Sequence, residues 1–440
     1  MTPEIEKRIK AVQAGRVPAG YKKTKVGIVP KEWNVQSFGE ISFKTGRKKK
    51  KEEDYPVYSI NNQKGFCSQA EQFENDGYAN TSKDSYTLVE KDTFAYNPAR
   101  INIGSIGLLK EPDRVIISSL YVCFGLNKNC NLSFFESYFK SHRFNYDVSN
   151  YTEGSVRQYL FYDNFSKINV AIPPLSEQKK IAEILATQDR VIELKEKLIA
   201  EKQSQKKYLM SVLLGDDFKK PFKLNGVTID KKKWEKKQFE RVLTFLRNNT
   251  FSRADMDDSQ GQVKNVHYGD ILVKYGTILD CDKDVIPFLK KEKQNYSNIA
   301  YLEDGDIIIA DTAEDETCGK MVEIIHKKNN LIVAGLHTIA CRPANKLFAS
   351  KWLGYYMNSP AYHNQLIPLI TGIKVSSISK SVISETNIAI PTLPEQKAIA
   401  DVLSAADEEI LLMQKDLEQE KLKKKSLMQL LLTGLVRVNE

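Results

Sequence analysis

A-I-P-P-L-S-E-Q-K-K-I-A-E-I-L at residues 171–185 and A-I-P-T-L-P-E-Q-K-A-I-A-D-V-L at residues 389–403 are one segment written twice. Glu177 matches Glu395 at an offset of 218 (395 − 177), and the same offset carries Ile172 to Ile390, Gln178 to Gln396, Ile181 to Ile399 and Leu185 to Leu403. A gapless match of this length marks a tandem duplication of a domain-sized unit of about two hundred residues. The repeat extends beyond the box. Downstream, Asp189 matches Asp407 and Met210 matches Met428; upstream, Gly154 matches Gly372, and W-N-V-Q-S-F-G-E at Trp33 resembles W-E-K-K-Q-F-E-R at Trp234. Between these anchors, over about 33–170 and 234–388, the halves diverge almost completely. Residues 4–15 read as the end of a helix stopping at Gly15, as the repeated helices stop at Gly215 and Gly434. This pattern predicts a closed, pseudo-two-fold arrangement in which the terminal segments complete one repeat between them.

After Pro173 and Pro391 the pattern changes from strand-like to helical, and beyond Pro174 and Pro394 about forty residues follow without Pro or Gly. At 1.5 Å per residue that is about 60 Å, longer than an ordinary globular helix. Pro394 suits a first helical turn, and Glu177 and Glu395 place negative charge where the helix dipole favours it. In the second copy Ile399, Leu403, Ile410, Met413, Leu417, Leu427 and Leu431 form a heptad-like stripe; in the first, Ile181, Leu185, Ile192, Ile199, Leu209 and Leu213 are interrupted by Gln188, Lys195, Lys202 and Lys206. The spacing predicts an antiparallel helix pair, with Glu420 offering a counter-charge to the polar slots.

The divergent blocks read as mixed α/β. Val115–Ser119 and Ile307–Ala310 are strand-like, Phe134–Phe144 and Phe348–Met357 helical, and Ile168–Ile172 and Ile388–Ile390 close each block as strands. The fold class expected is therefore α/β in the mixed α+β sense: two globular recognition-sized domains separated by two long antiparallel coiled-coil helices. The boundaries are an N-terminal helical segment and basic lead-in over 1–30, a first block over 31–173, a long helix over 174–215, a linker over 216–232, a second block over 233–391 and a second long helix over 392–434.

A chain of 440 residues, 41% of them hydrophobic, can bury large cores. Its net charge of +9 is concentrated at Lys22–Lys25, Arg47–Lys51 and Lys231–Lys233, and three such runs at domain entrances point to a polyanionic partner. No apolar stretch reaches membrane-spanning length and no secretion leader is visible, so the expected location is cytoplasmic, with no membrane partner. Six scattered cysteines without a C-x-x-C pair read as reduced core thiols, and no metal site is expected.

Catalytic motifs are not found. Asn97-Pro98-Ala99-Arg100 resembles the N-P-P-aromatic loop of amino-methyltransferases but lacks its second proline and its aromatic residue. Ile103-Gly104-Ser105-Ile106-Gly107 has no following G-K-[ST], and no acidic-x-Lys triplet follows Pro112-Asp113 within thirty residues.

The duplicated box opening a long helix, the two divergent blocks, the G-Y-K-K-T-K-x-G-x-x-P-x-x-W lead-in at 20–33 and the stretch Tyr96–Gly107 together resemble the specificity subunit of type I restriction-modification systems over essentially the whole chain. The resemblance implies that each block is a target recognition domain reading one half of a split DNA sequence, with the helices setting the separation. It also implies two methyltransferase subunits and, for cleavage, two restriction-translocase subunits as partners. S-adenosylmethionine, ATP and Mg would then sit on those partners, none on this non-catalytic chain. The second block departs from the family's A-R-I-N-x-G-S motif, its comparable stretch being Ile308–Ala313.

Candidate DNA-contacting residues are Arg47, Lys48, Lys49, Arg100, Asn102, Ser105, Arg157 and Gln158 in the first block and Arg247, Asn248, Arg253, Lys374 and Ser376 in the second. Side chains of these types can bond base edges or phosphates, and Arg157 and Lys374 follow the matching glycines. The alternatives are an autonomous methyltransferase or nuclease with an unrecognised site, and a coiled-coil protein scaffold with no role on DNA.

Overall fold

The structure, a computed structural model, describes residues 2–69, 85–154, 158–215, 220–290, 299–344, 346–372 and 375–438. The fold is mixed α+β, with two 40-residue helices, Leu175–Leu214 and Leu393–Leu432. The chain forms two compact units: residues 1–196 with 416–440, and residues 197–415. Each long helix contributes a half to each unit.

Both units use the same frame. In the first, a hairpin (Tyr21–Thr24 with Gly27–Pro30) leads to Trp33, and strand Asn34–Ser37 pairs antiparallel with the block's last strand, Asn169–Ile172. In the second, the hairpin Phe222–Leu224 with Val227–Ile229 leads to Trp234, and Glu235–Gln238 pairs with Asn387–Ile390. The proline after each closing strand then starts the long helix two residues on.

The divergent blocks share a sheet despite their sequences. In the first unit the order is Ile106–Leu108, Phe94–Tyr96, Val122–Leu126, Ser42–Lys44, all antiparallel. In the second it is Met321–Ile325, Ile307–Ala310, Thr338–Pro343, Leu243–Phe245, with Ile278–Asp280 added in parallel beyond Met321–Ile325. What the blocks have in common is alternation and chain order. The side chains filling the two cores differ: Phe38, Phe94, Phe124, Phe139 and Phe165 make an aromatic cluster in the first, while Trp352 stacks on Tyr356 and meets Trp234 edge-on in the second.

The repeated Glu-Gln pair is what welds each long helix to its block. Gln178 Oε1 accepts from the Asn131 backbone N–H at 2.7 Å, and its Nε2 donates to the carbonyls of Asn129 and Pro173. Gln396 repeats this with the Ala349 N–H and the carbonyls of Leu347 and Pro391. Glu177 accepts from the Trp33 indole N–H at 2.9 Å, and Glu395 from that of Trp234 at 3.3 Å. All four box side chains are buried. A buried polar side chain is tolerated when its bonds are made, and these bonds fix the helix axis relative to the block.

Along the helices Ile181, Leu185, Ile199, Leu213, Ile399, Leu403, Ile410, Leu417 and Leu431 are buried, and Ile192, Leu209, Met413 and Leu427 are half-buried. The helices run antiparallel in each unit. In the first, Gln188 Nε2 donates to Glu420 Oε2 at 2.7 Å, Lys195 pairs with Glu420 at 3.2 Å and also with Asp416, and Lys424 pairs with Asp189. In the second, Lys202 pairs with Glu409 at 2.7 Å and Lys206 with Asp407 at 2.5 Å. Each polar interruption of the first helix thus faces an acid of the second.

Two expectations are corrected. The helix anticipated over Phe134–Phe144 is two, Leu132–Phe139 and His142–Tyr151, because the Ser141 hydroxyl accepts from the Phe144 N–H and caps a new start. Residues 4–15 do contain a helix, Pro3–Gln13, but it does not supply the helix end beside the first hairpin. The second long helix does so: Gly434 lies against Pro30 and Trp33, and Tyr21 Oη donates to its carbonyl at 2.6 Å. In the other unit that end belongs to the first long helix, where Lys231 Nζ donates to the carbonyls of Val212 and Gly215.

Candidate nucleic-acid interface

Two loops at the offset of 218 define equivalent surfaces on the two blocks. Glu153 and Tyr159 exchange backbone bonds of 2.9 and 2.8 Å; Thr371 and Ser377 exchange bonds of 3.1 and 2.8 Å. Gly154 and Gly372 turn just inside these closures with φ of +113° and +125°, a conformation that admits glycine and strains other residues. Each loop is tied to the chain leaving a central strand. The Leu160 N–H donates to the Pro98 carbonyl at 3.0 Å, and the Ile378 N–H to the Asp311 carbonyl at 2.9 Å. Pro98 and Asp311 are therefore equivalent positions, as are the segments that follow them.

In the first block this edge presents Arg100 and Asn102, both exposed, on a turn whose Asn97 side chain accepts from the Ala99 N–H. Gln158 is exposed on the neighbouring loop, followed by Tyr159 and Phe161, whose rings stack 5.7 Å apart. Other candidates are committed elsewhere. Ser105 is buried and its hydroxyl donates to the Ile60 carbonyl at 2.9 Å, so it holds the turn against the hairpin Tyr58–Ser68 and is no surface reader. Arg47 is clamped by both carboxylate oxygens of Glu53, and Lys49 Nζ donates to the carbonyls of Lys50 and Glu53; Lys48 beside them is exposed. Arg157 and Lys374 lie outside the described residues.

In the second block, short strand Thr312–Ala313 pairs with Ser376–Ser377, which brings Ser376 opposite Ala313. Asp311 and Thr312 adjoin His337: Thr312 Oγ1 lies 2.8 Å from Asp311 Oδ1 and 3.4 Å from His337 Nδ1. His337 has a φ of +54° and packs its ring edge-on against Tyr268, which in turn meets His267 at 4.6 Å. Burial, then the positive Arg253, hold His267 below the usual imidazole range. Arg253 is half-exposed and donates to Asp270 at 2.7 Å, which keeps its guanidinium at the near end of this row. Arg247 is exposed at the end of strand Leu243–Phe245. Asn248 next to it is occupied, accepting from the Ala340 N–H and donating to Thr338 Oγ1, so its role is to anchor the adjacent strand.

The sequence reading singled out Ser376 and Arg253 in this group but missed Asp311, Thr312, His337 and Tyr268. Asp311 and Thr312 lie in Ile308–Ala313, the stretch comparable to the first block's motif. That its single acid, Asp311, sits where Pro98 sits is visible only through the backbone bonds.

Among the described residues one further group gathers metal-type ligands, Asp280, Asp282 and His326 within 4.8 Å. Lys283 and Lys328 already pair with its two aspartates, and it lies at the far end of the sheet from the edge just described. The six cysteines are buried and none forms a disulfide, and burial pushes the Cys123 thiol up to about 12 and that of Cys130 to about 11. Such thiols are inert. No helix among the described residues is long and apolar enough to cross a membrane.

Comparison with known proteins follows the same division. The family described as "Type I restriction modification DNA specificity domain" matches residues 30–202 and again 231–422. Two proteins of Methanocaldococcus jannaschii are similar along nearly their whole length. The type I restriction enzyme MjaVIII specificity subunit is 26% identical, covering 93% of this chain and 94% of its own. The putative type I restriction enzyme MjaX specificity subunit is 24% identical, covering 95% and 97%. A chain solved in work on the "structural basis underlying complex assembly and conformational transition of the type I R-M system" has the same fold. Its TM-score is 0.60 at 16% identity, covering 93% of this chain and 99% of that one.

Proposed function

The chain belongs to the type I restriction-modification DNA specificity family, and from that premise we propose that each block reads one half of a bipartite target while the paired helices set the separation. As a specificity subunit it is a non-catalytic, DNA-binding component with two recognition domains. The observation that carries the finer reading is the equivalence of the two loop edges. One block offers Arg100, Asn102 and Gln158 and the other Asp311 and Ser376, with Ser376 at the offset of 218 from Gln158 and Asp311 where Pro98 begins the stretch that carries Arg100 and Asn102. A duplicated frame bearing different side chains suits two different half-sites.

Gly434 does at one hairpin what Gly215 does at the other, so the two units repeat one lead-in. The long helices also dock two methyltransferase subunits, which hold S-adenosylmethionine; two restriction-translocase subunits using ATP and Mg complete the cleaving complex. Apolar side chains left exposed on the helices, including Leu194, Leu198, Leu412 and Leu422, support such docking. Two recognition domains on one chain would contact one duplex at two places, with phosphate contacts setting position and base-edge contacts setting sequence.

The test is single-molecule methylome sequencing of cells carrying this gene with its methyltransferase partner. The expected result is adenine methylation in a two-part motif with a fixed gap. A continuous motif, or methyl transfer by the purified chain alone, would overturn the proposal.

A further inference from the structure

The two loop edges differ in their hydrogen-bonding sign, and this restricts what each can read. Arg100 and Gln158 on the first edge carry donors, and Arg100 makes no ion pair among the described residues. In the second block the segment that follows the equivalent position, D-T-A-E-D-E-T at 311–317, contains no cation. It presents instead the carboxylate of Asp311, with a quarter of its side chain exposed (26%).

Three observations show this carboxylate to be positioned. Thr312 Oγ1 donates to Oδ1 at 2.8 Å, and His337 Nδ1 stands 3.5 Å from the same oxygen. The side-chain contacts of this carboxylate fall on Oδ1, and among the described residues none falls on Oδ2. The Asp311 N–H donates to the His337 carbonyl at 3.2 Å, so the two residues are held by backbone as well as side chain. His337 itself sits at a φ of +54° with its ring braced edge-on by Tyr268. A non-glycine residue held in the left-handed region at a binding edge marks a conformation that the surroundings impose.

An ionised carboxylate placed near a polyanion is unfavourable unless it accepts from a specific donor. Along the floor of the major groove the donors are the exocyclic amino groups of cytosine and adenine, and carboxylates pair best with that of cytosine. We propose that Asp311, positioned by Thr312 and His337, is a specificity-determining residue that accepts from the exocyclic amino group of a cytosine in the half-site read by the second block. This rests on the reading that each block contacts one half of a split target. His337, 48% exposed on the same edge, is a positioning residue for that carboxylate.

The experiment uses the chain assembled with its cognate methyltransferase subunits. The methylome of the parent is compared with those of Asp311→Ala and Asp311→Asn, backed by competition binding to duplexes altered at each position of the second half-site. In the parent, one C·G pair of that half-site is required. In Asp311→Ala, discrimination at that pair falls about 10- to 100-fold while the first half-site and the gap stay unchanged. In Asp311→Asn, which keeps the shape and adds an amide donor, preference at that position moves toward adenine. His337→Ala weakens the same position only. If Asp311→Ala does not assemble, the isosteric Asp311→Asn decides. An unchanged second half-site in an assembled variant, or relaxation that falls in the first half-site, overturns the inference about Asp311. An unsplit motif in the parent overturns the wider proposal instead.

Discussion

Replacing Arg437 with methionine tests how residues near the two ends of the sequence are held together. The Glu177 carboxylate is almost completely buried (side chain 3% exposed) and accepts three bonds: Trp33 Nε1 at 2.9 Å, Arg437 Nε at 2.7 Å and Arg437 Nη2 at 2.9 Å. Arg437 also pairs with Glu32 at 2.6 Å. Removing one member of a buried ion pair costs about 3–5 kcal/mol because the survivor keeps its charge without compensation. Arg437 is 28% exposed and Glu177 keeps the Trp33 bond, so about 2–3 kcal/mol is the expected loss. For a unit of this size that corresponds to a fall in Tm of about 4–12 °C. Neutralising Glu177 as well, in Glu177→Gln/Arg437→Met, should recover part of the loss, because the glutamine oxygen still accepts from Trp33. Hydrogen exchange read by mass spectrometry locates the effect. Uptake should rise over residues 21–37 and stay level over 222–238, where Glu395 is satisfied by Trp234, the Asp230 N–H and Thr392 without any arginine. A Tm within about 1 °C of the parent, or a coupling energy below about 0.5 kcal/mol, would refute the reasoning.

Bonds from Gln188 and then Lys195 hold the Glu420 carboxyl down at about 2. Its folded value lies below its unfolded one, so this contribution is present above about pH 4.5 and is lost as pH falls through 2; Glu420→Gln should flatten acid unfolding curves in that window. Glu420→Lys should lower Tm by setting like charges together, and Lys195→Glu added to it should restore part of the loss. Burial raises the Glu323 carboxyl to about 7, opposed by the N–H groups of Lys351 and Gly354, which donate to it. Here the folded value lies above the unfolded one, so stability is full below about pH 4.5 and falls by about 3 kcal/mol as pH rises through 7. Denaturant titrations of Glu323→Gln at pH 5 and pH 8 should show that this dependence is gone. The Tyr96 hydroxyl is buried with no partner among the described residues, so Tyr96→Phe should leave Tm unchanged or raise it; a loss above about 1 kcal/mol would show that the hydroxyl is satisfied.

The frame was legible because its signals are local and repeated. Proline, glutamate and an unbroken forty-residue heptad pattern announce a long helix wherever it packs, and duplication shows which residues serve the frame. The polar slots were readable too, since Gln188 and Lys195 had to meet an acid and Glu420 stood at the facing register. The candidate DNA-facing edges were not legible to the same degree. A serine or asparagine in a loop looks alike whether it points outward or bonds the chain behind it, and only the structure separates buried Ser105 and anchored Asn248 from exposed Asn102 and Gln158. Arg47 was similarly opaque, because its partner Glu53 sits across a turn. The apolar residues of the box enter the cores while its Glu and Gln bind their own block and lead-in, which explains why both residue types recur at the same offset.

The nesting of one unit within the other sets an order of completion during synthesis. Residues 197–415 are consecutive, so that unit has all its parts once Lys415 has emerged. The other unit begins earlier but lacks Gly434 against Trp33 and Arg437 against Glu177 until translation has passed those positions, about 1–4 s later at ordinary elongation rates. Through that interval Trp33 and the apolar side of the first hairpin stay uncovered. The unit made first is thus the last to close, and a nascent chain stalled just after Lys415 should be protease-resistant in its later half and sensitive in its earlier one.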